Sequence, residues 1–377
     1  MSICCRGPAV KEESLLFASS GVGGRPPGNE IRVMSDLPVF VRALPKVQLH
    51  CHLEGTMQAR TFRELAALRG VESPRAAGPL EATYDFATFR EFLLTFAEVC
   101  KALKEPEDYA RIAREYAREA CRQHVRYAEV FISPSVWTFF HPTLDVAAAV
   151  GAMRAEFDAA ARESPIEVAF ICDLTRNFGV ERAFETARIA VRLAEAGLGV
   201  VGIGLGGDEA NFPPELYDEP FAFARAQGLH TVAHAGEAAG AQSVRDAVER
   251  LGAERIGHGV RAREDRAVVD LLAFRGIPLE CCPTSNRLTG VVPPGAPHPI
   301  EELDALGVRC MIDADDPALF STTLDREYEL VGAQCGSGAL ARFARTAIEA
   351  SFAAPQRKAL LLAEFESALG GLETLPA

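Results

Sequence analysis

From residue 46 onward the chain repeats one rhythm, a short β-branched or apolar run ending in polar residues or glycine, followed by a longer amphipathic stretch. Alternation of this kind predicts parallel βα units, because each amphipathic stretch can return as a helix over the sheet. The strand-like segments are 46–54, 125–134, 167–176, 200–207, 230–237, 255–259, 278–285 and 308–316. Between them lie helical patterns such as 180–195 and 242–251, with Gly197, Gly228 and Gly276 at helix ends, where a left-handed residue terminates the helix at least cost when it is glycine. Eight such units predict an α/β protein, a (β/α)8 TIM barrel, whose functional groups gather where the βα loops leave the C-terminal strand ends. The stretch 56–124 is too long for a single crossover helix and predicts extra helices after strand 1. Two more helical patterns, 324–331 and 340–369, close the C-terminus. Residues 36–377 read as one domain. Residues 1–35, rich in Gly, Ser and Pro, read as a disordered extension, or as sequence upstream of a true start at Met34.

A net charge of -13 over 377 residues argues against a nucleic-acid surface, which needs a clustered basic face. A small neutral or cationic ligand fits better. The ten cysteines include no CxxC pair, so neither a disulfide framework nor a Cys-type zinc site is expected. Reduced thiols and a cytoplasmic location follow as expectations. No apolar run approaches the roughly 18 residues that span a bilayer.

The barrel reading makes a checkable statement, that polar residues should stand at strand ends. They do: His50 and His52 on the first, Gly207 and Asp208 after the fourth, His234 and Glu237 on the fifth, His258 on the sixth, Ser285 on the seventh, then Asp313, Asp315 and Asp316 on the eighth. Residues two apart in a strand face the same side, so His50 and His52 can converge on one metal while Cys51 points away. A barrel brings His234 and Asp315 toward them, and three imidazoles with one carboxylate suit Zn²⁺ with a position left for water. Bound zinc lowers the pKa of that water to about 7, and hydrolysis is its natural use. Glu237 can turn at Gly236 to shuttle protons beside the metal; the competing reading is an acid favoured at a helix N-terminus. His258, between two glycines, can orient or deprotonate the water, or be a satisfied buried histidine. Asp315 and Asp316 are adjacent like charges, costly in a protected site unless a cation or donor compensates. The run Gly202-Ile-Gly-Leu-Gly-Gly207 matches G-x-G-x-x-G in form only, since its glycines lie inside a strand and no helix opens after them. The H-x-E and P-C-x-x-C pair of cytidine-deaminase zinc sites is absent.

From about residue 44 to 369 these stretches resemble the adenosine deaminase family of the amidohydrolase superfamily. The resemblance is carried by Leu-Pro-Lys-Val-Gln-Leu-His-Cys-His-Leu-Glu-Gly, Gly-Gly-Asp-Glu, His-Ala-Gly-Glu, Arg-Ile-Gly-His-Gly, Cys-Pro-Thr-Ser-Asn and Asp-Asp-Pro. It implies one zinc per chain on His50, His52, His234 and Asp315, with protonated Glu237 donating to purine N1 while hydroxide attacks C6. By the same resemblance His258 positions and assists the hydroxide, the Gly207 N–H meets purine N3, and Asp316 bonds the N7 side. Phe89, Phe92, Leu93 and Phe96 resemble the hydrophobic gate over the family pocket. Glu54 stands where adenosine deaminases commonly carry Asp near the ribose 5′-hydroxyl, which leaves the sugar end open. Asp313, Ala314, Gly204 and Gly206 also depart from the usual residues. The implied partner is a purine nucleoside and the implied reaction is adenosine to inosine plus ammonia. Adenine, aminodeoxyfutalosine and N6-modified AMP are the alternative substrates, and a catalytically idle nucleoside-binding barrel is the non-enzymatic one.

Overall fold

Each strand pairs in parallel with the next one in the chain. The computed structural model describes residues 37–373, and the extension expected at 1–35 lies outside them. The strands are β1 (Lys46–His52), β2 (Val125–Ile132), β3 (Glu167–Thr175), β4 (Val200–Gly206), β5 (His230–Ala235), β6 (Arg255–His258), β7 (Leu279–Cys281) and β8 (Cys310–Ile312). Their spatial order is β1 to β8 in sequence, with helices between them, as the (β/α)8 reading requires. Strands covered on both faces read as nearly continuous apolar runs, and β1, β7 and β8 are buried throughout. Inside the ring, Phe131, Ile171 and Val232 pack against one another. This plug supports the polar residues at the strand ends above it.

The predicted helix stops hold, since Gly197, Gly228 and Gly276 have φ of 69°, 83° and 67°. Two expectations change. The seventh and eighth segments shrink to three-residue strands; the seventh is cut short because Pro283, which lacks an N–H, opens the helix Pro283–Leu288 at its first position. The pattern expected over 340–369 is two helices, Ser337–Ala350 and Pro355–Glu373, again divided by a proline at a helix start. The long first connection folds into Ala59–Leu68, Pro74–Ala77, Phe89–Lys101 and Pro106–Arg122. No described helix is long and apolar enough to cross a membrane.

Candidate metal and catalytic site

β1 presents His50 and His52 to the barrel mouth, β5 presents His234, and the turn after β8 brings Asp315 between them. One ligand atom from each of the four lies within 4.8 Å of every other, and all four residues are buried. Asp315 holds a left-handed conformation at φ 61°, as does His258 at φ 60°, strained positions for residues bearing a Cβ. The strain is sustained by bonds around it: the Asp315 N–H donates to His50 O at 3.0 Å and the His52 N–H to Asp315 O at 2.9 Å.

The ring nitrogens are prepared for a cation. His234 Nδ1 lies 3.1 Å from Leu205 O, a carbonyl that can only accept, so its proton is on Nδ1 and Nε2 carries a lone pair. That Nε2 faces His52 Nε2 at 3.0 Å. Burial drives the His52 pKa down to about 3 and holds that of His234 well below the usual range. Neither ring is a cation. His50 Nδ1 lies 2.6 Å from Glu280 Oε2, while its buried Nε2 has no hydrogen-bond partner among the described residues and stands 3.5 Å from Asp315 Oδ1. Burial lowers the His50 pKa, yet the adjacent carboxylates of Asp315 and Glu280 outweigh it and raise it well above normal. His50 first, with His258 and His52, overcomes burial at Asp315 and holds its pKa well below the carboxylate range. A ring that binds a proton this tightly between carboxylates offers its Nε2 to a divalent ion instead, and three nitrogens with one oxygen suit a borderline metal such as zinc. A smaller grouping of His258, Cys282 and Asp315 shares Asp315, but burial holds the Cys282 thiol well above its ordinary pKa.

Glu237 and His258 meet beside this group, with Glu237 Oε2 3.5 Å from His258 Nε2. Burial first, then the charges of Asp315 and Glu209, push the Glu237 pKa well above the usual carboxylate range. A carboxyl kept protonated in this way can donate. Asp316 is also raised, by burial and by Asp315, and its Oδ1 has no partner among the described residues. Gly55 leaves the room it occupies, since a Cβ there would overlap the Asp316 carboxyl. Gly207 follows β4 at φ 99°, with the Asn177 side chain against it and receiving the next N–H, that of Asp208, at 3.0 Å.

Glu54 is fully buried. Its Oε1 accepts from Ser133 N at 2.8 Å and from Trp137 Nε1 at 2.7 Å, and its Oε2 is unpartnered among the described residues. Of the expected gate, Phe96 meets the His52 ring edge-on at 5.9 Å. Phe89 and Phe92 lie in a cluster with Phe86 and Phe320, Phe92 stacking on Phe320 at 4.8 Å.

Several residues that hold this arrangement carry no role in the sequence reading. Glu209, the last residue of Gly-Gly-Asp-Glu, accepts from Gly236 N, Glu237 N and Ala239 N at 2.6, 3.1 and 2.9 Å and so shapes the loop that carries Glu237. Arg176 donates to His234 O at 2.6 Å. Glu280 is held in turn by Arg255 at 2.6 Å, which also pairs with Glu129 at 2.6 Å. Asp173, on β3, points into the barrel, and burial with Glu54 nearby raises its pKa to about 8. A Cβ at Gly204 would stand 2.7 Å from its Oδ1, and one at Gly206 would overlap its Oδ2. Gly204 of the dinucleotide-like run, with Gly206 beside it, therefore makes room for this carboxyl.

A parallel eight-stranded barrel bearing three imidazoles, a carboxylate and a protonated acid at its mouth is the framework of a metal-dependent aminohydrolase. Residues 45–368 match the adenosine deaminase family model, and the chain belongs to that family. It is 38% identical to an aminodeoxyfutalosine deaminase of Streptomyces coelicolor over 89% of this chain and 87% of that one. It is also 38% identical to an adenine deaminase of Rhizobium rhizogenes over 85% and 98% of the two chains. Among solved structures, an amidohydrolase from Burkholderia ambifaria with bound Zn superposes with a TM-score of 0.81 at 29% identity, covering 90% of this chain and 96% of that one. The protein is thus an enzyme of the aminopurine deaminase class.

Proposed function

We propose that the chain replaces the 6-amino group of a purine by oxygen, using zinc held by His50, His52, His234 and Asp315, with aminodeoxyfutalosine as its substrate. The observation that carries the reaction is the convergence of those four ligand atoms within 4.8 Å beside a carboxyl, Glu237, that burial keeps protonated. Zinc there would supply a water acidic enough to be hydroxide at neutral pH, and the Zn-bound Burkholderia relative supports that choice of metal. Glu237 gives its proton to ring N1, which makes C6 electrophilic. Asp316 bonds the N7 side and the Gly207 N–H meets N3, so the ring lies with C6 toward the metal ligands. His258 orients the nucleophilic oxygen, and ammonia leaves as the 6-oxo ring forms. Glu54 faces the substituent at the far end of the ring, and Phe89, Phe92 and Phe96 shield the pocket from water.

The choice of substrate rests on relatives. Aminodeoxyfutalosine deaminases of Streptomyces coelicolor and Acidothermus cellulolyticus share 38% and 37% identity with this chain. Adenine is the second reading, supported by adenine deaminases at 33–38% and by Glu54, whose Oε1 is tied to Trp137 and Ser133 and is not free to follow a sugar. Adenosine, the first expectation from the sequence, stands behind both. Ammonia release from aminodeoxyfutalosine, adenine and adenosine, measured with the metal content of the same preparation, tests all three. The expected result is one bound zinc and turnover of aminodeoxyfutalosine above the others. Turnover of adenine alone would replace the substrate, and no ammonia from any of them would end the deaminase reading.

A further inference from the structure

His258 stands at the head of a chain of hydrogen bonds that runs away from the site. Asn286 Nδ2 lies 3.1 Å from His258 Nδ1, and Asn286 Oδ1 lies 3.0 Å from His298 Nε2. His298 Nδ1 is in turn 3.2 Å from the backbone N–H of Ile300. Asn286 and His298 are both buried. The loop is clasped by Gln334, whose Oε1 accepts from His298 N and whose Nε2 donates to His298 O, both at 2.9 Å.

The direction of this chain has one consistent solution. A backbone N–H is always a donor, and Ile300 is the first residue of a helix, where such groups have no partner inside the helix. His298 Nδ1 must therefore accept, which leaves the proton on Nε2. That proton needs an acceptor, so Asn286 turns Oδ1 toward His298 and its NH2 toward His258. His258 Nδ1 then accepts, and the proton of its neutral ring is on Nε2. Rotating the Asn286 amide would set its NH2 against His298 Nε2, push the His298 proton to Nδ1, and leave two donors facing each other at Ile300. Burial drives the His298 pKa down to about 3, so the ring does not escape the conflict by taking a second proton.

We propose that Asn286 and His298 are positioning residues that fix His258 as the Nε2–H tautomer, so that His258 acts in the site as a hydrogen-bond donor and not as a base. The ionised neighbour of that nitrogen agrees with a donor, since the Asp315 carboxylate, which can only accept, has its Oδ2 3.9 Å away. A histidine whose Nδ1 partner is a donor behaves in the opposite sense to one held by a carboxylate, which places the proton on Nδ1 and leaves Nε2 free to accept. The expectation that His258 deprotonates the nucleophile gives way to its alternative, that His258 orients it. The inference rests on the deaminase reading for its consequence, though the tautomer itself is measurable without any substrate.

The full-length metal-loaded protein, labelled with ¹⁵N in its histidine rings, gives two-bond proton–nitrogen correlations that separate the two neutral tautomers. Signals of His258 are those lost in His258→Gln. The expected pattern is Nε2–H for both His258 and His298. Asn286→Asp supplies only acceptors, so His258 should switch to Nδ1–H and kcat should fall about a hundredfold or more, as for a triad histidine held in the wrong tautomer, with little change in KM. His298→Gln keeps an N–H for Asn286 and should retain both tautomer and activity, whereas His298→Leu frees the amide to rotate and should give a tautomer mixture with reduced kcat. This pair covers the case in which Asn286→Asp does not fold. Nδ1–H on His258 in the unaltered protein, or an unchanged tautomer in both Asn286→Asp and His298→Leu, overturns the proposal. Absence of deaminase activity alongside the expected tautomers would count against the reaction and not against the relay.

Discussion

At the scale of single residues, the site is organised by what burial does to carboxyl groups. Glu237 is raised well above the carboxylate range by burial, then by Asp315 and Glu209, which suits it to the proton-donor role proposed for it. Glu237→Gln keeps the shape and a hydrogen-bond donor but cannot release a proton. It should retain its metal by elemental analysis while kcat falls by roughly 10² to 10⁴; full activity in a metal-replete variant would remove Glu237 as the proton donor. Asp173 makes a separate prediction about stability. Its folded pKa of about 8 lies above its ordinary 3.8, so the folded state holds a proton that the unfolded chain gives up. The cost of Asp173 to stability is therefore absent below pH 4, grows as pH rises between about 4 and 8, and is constant above. Asp173→Asn has the same shape without the charge. It should be more stable than the natural chain at pH 8.5, by at least ~1 kcal/mol, with the difference closing near pH 4. Denaturant titrations of both proteins at pH 4.5, 7 and 8.5 check this, and a difference independent of pH would rule out the cause given.

At the scale of elements, a strand must present its ligand and leave room for its neighbour's. β6 does the second at Gly257, where a Cβ would stand 2.6 Å from His50 Cε1 and 3.3 Å from the His234 Cα. The His50 ring cannot retreat, because Glu280 holds its Nδ1 at 2.6 Å and Arg255 on β6 holds Glu280. Gly257→Ala should fold yet bind metal at least ~10-fold more weakly, measured by competition with a chromophoric chelator. Gly151→Ala, in the helix Val146–Glu163 with only Leu198 at 3.9 Å, is the control that should leave affinity unchanged; equal affinity in the two variants would show that Gly257 does not set the position of His50. The same logic explains what the sequence made legible. Eight strands could be counted because buried parallel strands and amphipathic helices differ in period, and the four residues that converge at the mouth could be singled out because they stand at the ends of those strands. Glu280, Arg255 and Asp173 could not, since their roles arise across the ring: Glu280 meets His50 across 230 positions in the chain. Asn286 and Glu209 lay inside recognisable motifs, but a motif does not say which N–H its side chain faces. Pro283 and Pro355 were visible helix starts, and weighing them would have shortened the seventh strand and divided the last helix.

At the scale of the whole barrel, the proposed metal ligands are also the seam. Between β2 and β3 six residue pairs run in unbroken register, but between β8 and β1 the ring closes through a single isolated bridge, Cys51 to Asp315. The remaining closure is made by the site. Asp313 Oδ1 accepts from Leu49 N at 2.7 Å and His50 N at 3.0 Å, and Asp315 exchanges backbone bonds with His50 and His52. A cation held by His50 and His52 on β1, His234 on β5 and Asp315 after β8 would therefore tie the weakest join of the ring to its opposite side. Binding that occurs only in the folded state stabilises by mass action, about 4 kcal/mol at a thousand times Kd, and here that energy is delivered at one place. Removal of metal by a chelator should lower the melting temperature and speed hydrogen exchange first at the amides of His50, His52 and Asp315, with the β2–β3 ladder protected as before. Adding zinc back should reverse both effects. Exchange that rises equally around the ring would mean that the barrel closes without help from its ligands, and that the metal serves the chemistry alone.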